Sequence, residues 1–231
     1  ASNVILQQSY DDGTNGNNVT PGNSAYDSCY SNGTMTNTYS NAQKVTTSLS
    51  MRLQVTSGSG NGGCADQTTA DTSVRYDRFY LYFAAAPSAT TMIYQLTNSA
   101  DIGTFADPVA QVRLTNTGAL QLRDKFTQED ITGNLAANTW HRIEIGTSGG
   151  RMTVRTFEGA NREGAQPTQI ATISLGNSAY TTFAYTQVGV LENTAATFTM
   201  YIDEHVASAS TWVGPATKQW GQNTVYGDVT M

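Results

Sequence analysis

Charge is scarce in this chain. Only 13% of its 231 residues are charged, and lysine occurs only as Lys44, Lys125 and Lys218. The formal net charge is −6, and the sequence contains no run of basic residues. Proteins that bind nucleic acid do so largely through Lys and Arg contacts to phosphates. The composition therefore argues against nucleic acid, and equally against anionic membrane surfaces, as a partner.

Long apolar runs are also missing. No apolar stretch approaches the roughly 18 residues of a transmembrane helix, so we expect no membrane span. No segment shows the periodicity of an amphipathic helix. The first residues show no signal-peptide pattern, and Ala1 fits signal cleavage, loss of an initiator Met or a cloning boundary.

Cysteine occurs only twice, as Cys29 and Cys64, on either side of a glycine-rich segment at 57–63. A disulfide between them would close a loop of about 36 residues and stabilise the fold by roughly 3–4 kcal/mol. It would also place the chain outside a reducing cytosol, in an extracellular space or on a virion or cell surface. Two alternatives remain open. One is a metal site with His141 and His205, which no CxxC or HxxxH spacing supports; the other is a pair of free buried thiols.

The chain is instead rich in Thr, Ser, Asn, Gly and Tyr, and apolar residues alternate with polar ones in many short segments. This pattern predicts antiparallel strands joined by turns, about a dozen in all. We expect turns at 116–118 and 148–150, and a flexible loop at 57–63. No composition shift marks a second domain, so residues 1–215 are expected to form one domain and residues 216–231 a tail or strap. The predicted strands are residues 4–8, 25–30, 34–40, 48–55, 78–83, 91–96, 110–115, 119–123, 138–145, 151–157, 169–175, 186–191 and 198–206.

The last of these strands contains a carboxylate that breaks its apolar rhythm. Phe198, Met200 and Ile202 form one face, and Asp203 falls on the face opposite Ile202. An unpaired charge beside a core is costly, so Asp203 is expected to have a partner.

Six segments occur in a characteristic order: DGTNG near the start, RFYLYF, VRLTNTGALQLR, NTWHRIEI, FTMYIDE and WVGP. They resemble the concanavalin-A-like (laminin-G-like) jelly-roll superfamily, in particular modules of secreted actinobacterial proteins and of minor tail or surface proteins of phages. The resemblance implies an all-β, two-sheet antiparallel jelly-roll sandwich. It also implies a structural Ca²⁺ ion that joins Asp203 of the closing strand to Asp12 in the N-terminal turn. The superfamily contains lectins, adhesins, glycoside hydrolases and polysaccharide lyases, so the fold does not decide the function.

Hydrolases of this superfamily carry paired carboxylates on one strand, as Glu-x-Asp-x-(x)-Glu, and no such run occurs here. Glu129 and Asp130 are predicted in a polar loop, Glu144 is isolated, and Asp203 and Glu204 are expected on opposite faces. A retaining hydrolase needs two carboxyl groups about 5–5.5 Å apart. The sequence therefore disfavours a hydrolase. The residue types that a lyase uses are present, but the lyase motifs are missing.

Five side chains fall on outward positions of predicted strands, where they would form one ligand-binding face: Tyr80, Tyr82, Gln111, Arg113 and Arg155. Flat rings and a few hydrogen-bonding groups are typical of sugar-binding surfaces, although exposed Tyr and Arg are common on strands without any ligand. We expect a non-catalytic extracellular or virion-surface binding module for a glycan or cell-envelope polysaccharide. The alternatives are a polysaccharide lyase or glycoside hydrolase, and a structural or decoration protein. Weak sites gain strength when repeated on one assembly, so a homo-oligomer or larger surface assembly fits this expectation.

Overall fold

The computed structural model describes residues 4–45, 48–101, 108–124, 129–175, 182–194 and 197–216. The protein is all-β, with 62% of the described residues in strands. Among the described residues up to 215, the helical structure consists of one 3-10 turn, Gly159–Asn161. No described helix has the length and apolarity that crossing a membrane would require. The strands are β1 Val4–Gln8, β2 Ser28–Ser40, β3 Ser50–Thr72, β4 Arg75–Phe83, β5 Thr91–Thr97, β6 Pro108–Leu114, β7 Ala119–Asp124, β8 Glu129–Asn134, β9 His141–Ser148, β10 Arg151–Glu158, β11 Gln169–Ser174, β12 Phe183–Thr194 and β13 Phe198–Ser208.

The strands follow one hydrogen-bonded path, β11-β10-β9-β4-β13-β3-β12-β5-β6-β7-β8, with β1 added to β13 and β2 added to β3. The two ends of this path meet. The backbone N–H of Thr172 on β11 donates to Asp130 Oδ2 on β8 at 2.7 Å, and the N–H of Gly133 donates to Gln169 Oε1. The result is a nearly closed antiparallel barrel. The coarse expectation of an all-β antiparallel fold is confirmed, whereas two separate jelly-roll sheets are not delineated.

The interior of the barrel is filled by the apolar alternates of each strand. Phe79, Leu81 and Phe83 of β4 face inward, as the alternation predicted, together with Met200 and Ile202 of β13. All five are at most 1% exposed. This packing holds the outward residues of the same strands in fixed positions, because successive side chains of a strand point to opposite faces.

The disulfide is confirmed. Cys29 and Cys64 lie opposite each other on β2 and β3 and are joined by an S–S bond of 2.12 Å. Neither cysteine is therefore a metal ligand or a free thiol, which removes both alternatives that the sequence left open.

The segment 57–63 is not a flexible loop, contrary to expectation. It lies inside β3 and pairs with β2, where Asn61 is opposite Asn32. On the other side, Gly63 is opposite Gly189 of β12. A Cβ at Gly63 would lie 2.8 Å from Gly189 Cα, so only glycine permits this close approach of two backbones.

Two more local expectations have opposite outcomes. The predicted turn at 148–150 is confirmed, because Gly149 and Gly150 have φ values of 58° and 70° and connect β9 directly to β10. The expectation of a polar loop at Glu129 and Asp130 is wrong, since both belong to β8 and pair with β7. Their polarity is that of an edge strand, not of a loop.

Candidate functional site

Inside the barrel, a buried ionic group lies in the middle of the apolar core. Arg75 donates from Nε to Asp77 Oδ2 at 2.8 Å and from Nη1 to Asp66 Oδ2 at 2.6 Å. Asp77 also accepts from Tyr94 OH at 2.8 Å and lies 2.9 Å from His205 Nε2. Each polar end of this group thus has a partner, as burial of charge requires.

The group continues toward the N-terminus as a chain of side chains. His205 Nδ1 lies 2.8 Å from Tyr26 OH, which is 2.6 Å from Tyr10 OH. Burial raises the pKa of Tyr10 and Tyr26 well above the usual range. Burial opposes ionisation of Asp77 as well, but the Arg75 charge and the His205 contact outweigh it and hold the pKa of Asp77 well below its usual range. All these residues are at most 7% exposed, so we assign this network to structure and not to ligand binding.

The outward surface of β3, β13, β4, β9 and β10 carries a different collection of polar side chains. Asp203, Tyr80 and Arg142 are opposite one another on β13, β4 and β9. The strand register also sets Arg78 beside Glu144, and Glu144 beside Arg155. We call this surface the arginine–aromatic face; it is defined by Arg52, Arg78, Arg142, Arg155, Glu144, Tyr76, Tyr80, Tyr82 and Tyr201.

Part of the arginine–aromatic face is covered by residues 209–216, which we call the strap. The N–H of Gly214 donates to Glu144 Oε1 at 3.1 Å, and the N–H of Ala216 donates to Tyr80 OH at 3.0 Å. Trp212 packs edge-on against Tyr76, with ring centroids 5.0 Å apart. The strap thus seals one half of the face with backbone donors and one large ring.

Arg155 contributes to the same seal, because its guanidinium lies 3.6 Å from the centre of the Trp212 ring. Burial raises the pKa of Glu144, and the neighbouring Arg142 and Arg155 only partly offset that effect. Burial likewise raises the pKa of Tyr80 to about 12. The phenol of Tyr80 is therefore protonated near neutral pH, and the strap covers both groups in this closed arrangement.

The segment after β10 covers the next part of the face. Arg142 donates from Nη1 to the carbonyl of Arg162 at 2.6 Å and from Nη2 to that of Gly164 at 2.8 Å. Its guanidinium also lies 3.5 Å from the centre of the Phe157 ring. Tyr80 OH donates to Glu163 at 2.9 Å. Arg142 and Tyr80 therefore use their hydrogen-bonding groups to bind the segment at residues 162–164.

Among the described residues, the remaining part of the face is open. We call it the open row: Arg52, Tyr201 and Tyr82, with the buried ring of Trp140, just before β9, beside them. Arg52 is directly opposite Tyr201, and Tyr201 is directly opposite Tyr82. The Tyr82 ring lies 5.9 Å from that of Tyr201 and 5.5 Å from that of Trp140. Arg52, Tyr201 and Tyr82 are half-buried, with part of each side chain accessible to solvent. The open row thus presents a cation and flat rings side by side on one rigid sheet.

The five predicted ligand-binding residues do not form one site. Tyr80, Tyr82 and Arg155 lie on the arginine–aromatic face, but only Tyr82 belongs to its open row. Tyr80 faces outward as predicted, yet the strap and Glu163 cover it, so that it is 0% exposed. Gln111 and Arg113 lie on β6, which the path β4-β13-β3-β12-β5-β6 places far along the sheet.

Gln111 and Arg113 have other surroundings. Gln111 is 4% exposed and lies opposite Gln95 of β5, which in turn lies opposite Gln187 of β12. Gln187 Nε2 donates to the carbonyls of residues 99 and 101, so the segment after β5 crosses this row of amides. Arg113 donates from Nη2 to Glu192 Oε1 at 2.7 Å. Arg113 is thus held by an ion pair within the fold, whereas Gln111 Oε1 is buried without a hydrogen-bond partner among the described residues.

The expectation for the two carboxylates of β13 is half wrong. Asp203 has the partners that its position demanded, since Oδ2 accepts from Val45 N–H and Oδ1 from Glu204 N–H, both at 2.8 Å. However, Glu204 does not point to the opposite face: it lies 3.9 Å from Arg78 Nη1, on the same side as Asp203. A β-bulge between Asp203 and Val206, with Glu204 at φ 52°, explains the change of direction.

The calcium ligands proposed from the resemblance, Asp12 and Asp203, have only protein partners among the described residues. Asp12 Oδ1 accepts from Gln8 Nε2 at 3.2 Å. Within the described ranges, no three His, Cys, Asp or Glu side chains group in a way that fits a metal ion. Calcium also binds backbone carbonyls, so the ion stays a prediction.

The two histidines have structural surroundings. His141 Nε2 lies 2.8 Å from the carbonyl of Ala136, and burial lowers the pKa of its ring. His205 belongs to the interior network. The interpretation of both as ordinary strand histidines is consistent with these contacts.

Sequence reasoning missed the interior network, although a signal for it was present. Arg75 and Asp77 have the same strand phase as Phe79 and Leu81, which were correctly assigned to the core. The period of two therefore already pointed both charges inward. It did not show that His205, whose direction depends on the bulge in β13, would meet them.

Comparison with known proteins supports the fold and leaves the family open. No family model and no curated protein matches the chain. Among solved structures, it is similar to an endo-β-1,4-glucuronan lyase from the fungus Trichoderma reesei, with a TM-score of 0.57 and 11% identity over 90% of this chain and 96% of that one. It is similar to the cellulose-induced protein Cip1, with a TM-score of 0.57 and 12% identity over 80% and 90% of the two chains. A Trypanosoma rangeli sialidase has a TM-score of 0.55 and 9% identity over 90% of this chain and 30% of the sialidase. Likeness at this identity bears on the fold alone, and these neighbours are of β-sandwich type.

Proposed function

We propose that this chain is a non-catalytic glycan-binding module and that its open row is the binding surface. One observation carries the proposal: Tyr201 and Tyr82 lie side by side on adjacent strands, half-exposed, with Trp140 behind them. Sugar rings stack on flat aromatic faces, and such sites need few hydrogen-bonding groups. Because the rings lie on paired strands and not on loops, little conformational freedom is lost on binding.

The structural neighbours favour a glycan among the ligand classes. Two of them are named for action on carbohydrate, as a glucuronan lyase and a sialidase. Fold alone does not transfer a function. The likeness favours a carbohydrate over other classes of ligand, and the open row is a surface suited to a carbohydrate.

Binding without catalysis is favoured by the state of the acid and base groups on the same face. Glu144, Tyr80 and Arg142 are at most 2% exposed. The strap and the segment after β10 take their hydrogen bonds. A substrate would have to displace both segments before it met a carboxylate. The alternative, a polysaccharide lyase or hydrolase, is distinguished by its products: unsaturated sugars or new reducing ends.

The finer placement of the module follows from the disulfide and the resemblance. The Cys29–Cys64 bond fits an oxidising environment. We therefore infer a secreted or surface-exposed protein, cellular or of a virion, with the nearly closed barrel representing a concanavalin-A-like jelly roll. A purely structural surface protein is the competing proposal, and it would show no affinity for any glycan.

A glycan array on the purified chain, followed by titration calorimetry on the best ligand, tests the proposal. Tyr82→Ala and Tyr201→Ala are each expected to weaken binding about tenfold or more, since loss of one aromatic contact removes roughly 1–2 kcal/mol. Tyr30→Ala is the matched control, because Tyr30 is 46% exposed and lies toward the other end of β2. Binding that survives both open-row substitutions, or that falls equally in the control, contradicts the proposed site.

A further inference from the structure

Arg52 differs from the other arginines around it. It lies on β3 between Thr38 of β2 and Tyr201 of β13, on the outward surface. Its side chain is half-buried, and its Nε atom is inaccessible to solvent. Within the part of the chain that the structure describes, Nε has no hydrogen-bond partner, which is also true of Nε in Arg78, Arg142 and Arg155. Arg52 differs from these three because its guanidinium has neither an ion pair nor a ring contact there, whereas each of them has at least one. Leaving a buried donor without a partner destabilises the fold.

The neighbouring arginines all have protein partners. Arg142 lies 3.1 Å from Glu144, and Arg155 stacks on Trp212. Arg113 on the other surface pairs with Glu192. A half-buried guanidinium without such a partner is suited to an anion from outside the chain.

The side chains around Arg52 indicate which kind of ligand would carry that anionic group. Directly opposite residues on one face of an antiparallel pair have Cβ atoms about 4.5–5.5 Å apart, so the Tyr201 side chain begins beside that of Arg52. The Tyr82 ring follows at 5.9 Å from the Tyr201 ring. A ligand that meets Arg52 with an anionic group therefore has flat rings available for its next atoms.

We propose that the open row is a subsite for an acidic sugar, with the carboxylate of a uronate on Arg52 and the sugar rings on Tyr201 and Tyr82. This inference rests on the proposed glycan-binding function and adds the chemical class of the glycan. A guanidinium binds a carboxylate through two parallel N–H donors, which sets orientation as well as affinity.

The negative charge of the rest of the molecule means that long-range electrostatic attraction does not help to bind an acidic sugar. The net charge of −6 repels a polyanion at long range. Asp203 lies on the same face, but backbone N–H groups of Val45 and Glu204 donate to its carboxylate. Affinity for a uronate must therefore come from direct contact with Arg52, and it falls as salt screens that contact.

The test compares two oligosaccharides that differ only at the carboxyl group. Oligomers of β-1,4-linked glucuronic acid and of β-1,4-linked glucose have the same backbone, with a carboxylate replacing a hydroxymethyl group. We expect the wild-type protein to bind the acidic oligomer about tenfold or more tightly by calorimetry, and Arg52→Gln to abolish that preference. Arg52→Lys keeps the charge without the planar fork and is expected to retain part of it.

Arg151→Gln is the matched control, because Arg151 is an exposed arginine at the start of β10 and its loss changes net charge equally. Circular dichroism and melting curves of all three variants establish that they fold. Equal wild-type binding of the two oligomers overturns the inference, as does a preference that persists in folded Arg52→Gln or disappears in the control. If Tyr82→Ala and Tyr201→Ala abolish binding of both oligomers without any acidic preference, the proposed function stands and this inference falls. If the wild type binds neither oligomer and no glycan on the array, both fall.

Discussion

At the scale of single residues, the unusual feature is a set of charges in the core. Arg75 is held by Asp66 and Asp77, and Asp77 is shared with His205 and Tyr94. Replacing one partner of a buried ion pair leaves the other charge uncompensated, which costs about 3–5 kcal/mol. The network thus makes the fold dependent on a few polar atoms.

We predict that Asp77→Asn lowers the free energy of unfolding by about 3–5 kcal/mol at neutral pH. The gap between wild type and variant is expected to shrink as the pH falls. The pKa of Asp77 is depressed in the folded state, since the Arg75 charge and the His205 contact outweigh burial. Its stabilisation is therefore complete above the unfolded pKa of about 3.9 and is lost as pH falls through the folded pKa. Urea unfolding at a series of pH values measures this.

The control for that series is Asp101→Asn, which removes an exposed carboxylate. Asp66 and Glu144 act in the opposite sense, because burial raises the pKa of each, so their ionisation costs stability as pH rises. Comparing variant with wild type at each pH cancels the contribution of Glu144. The contribution of Asp66 changes in the variant, because the Asp77 charge is one of the causes that raise the pKa of Asp66. A gap that is constant between neutral and acidic pH would show that the Asp77 charge is not what stabilises the network.

At the scale of elements, the strap decides which part of the arginine–aromatic face a ligand can reach. Trp212 anchors it by packing on Tyr76, and Gly146 beneath makes room for both rings. A Cβ at Gly146 would lie 2.7 Å from an atom of each ring. The absence of a side chain at one position of β9 thus permits the closed arrangement.

Gly146→Ala is predicted to displace Trp212 and loosen the strap while the barrel stays folded. Overpacking of this kind costs roughly 1–3 kcal/mol. The readouts are the tryptophan emission spectrum and the rate of proteolysis within residues 209–216. Gly22→Ala is the control, because a Cβ there meets only ordinary contact at 3.9 Å. Unchanged proteolysis of the strap in Gly146→Ala would show that this packing does not hold it.

At the scale of the whole molecule, the N-terminal and C-terminal parts of the chain are tied together by protein contacts. β1 pairs with β13, and Tyr10 reaches His205 through Tyr26. The resemblance assigned this role to calcium between Asp12 and Asp203. The pairing of β1 with β13 and the Tyr10–Tyr26–His205 contacts already join the two parts of the chain. A bound ion would strengthen this connection.

Calcium binding to the native state is predicted to raise the melting temperature, and an excess of chelator is predicted to lower it, because a ligand stabilises the state that binds it. Elemental analysis of the purified protein measures the bound metal directly. Asp203→Asn and Asp12→Asn are expected to remove the calcium response. A melting curve unchanged by chelator, together with no bound metal, would refute the ion.

The sequence by itself determined the strand content, the inward residues of the clear strands and the turn at 148–150, and it favoured the disulfide without excluding the alternatives. These features depend on local alternation, on glycine pairs that accept positive φ, or on the presence of only two cysteines. Periodicity also placed Tyr82 and Arg155 on outward positions. For such features, residues close in sequence are enough to determine the backbone conformation and the direction of the side chains.

Tertiary structure alone decided which outward residues share a surface. The path of strands separated Gln111 and Arg113 from Tyr82, because β13, β3, β12 and β5 lie between them. The strap buried Tyr80, and a bulge turned Glu204 to the side of Asp203 and His205 into the core. Strand order, long-range coverage and bulges depend on contacts between residues far apart in the chain. Alternation within a strand specifies a face and not what lies against it.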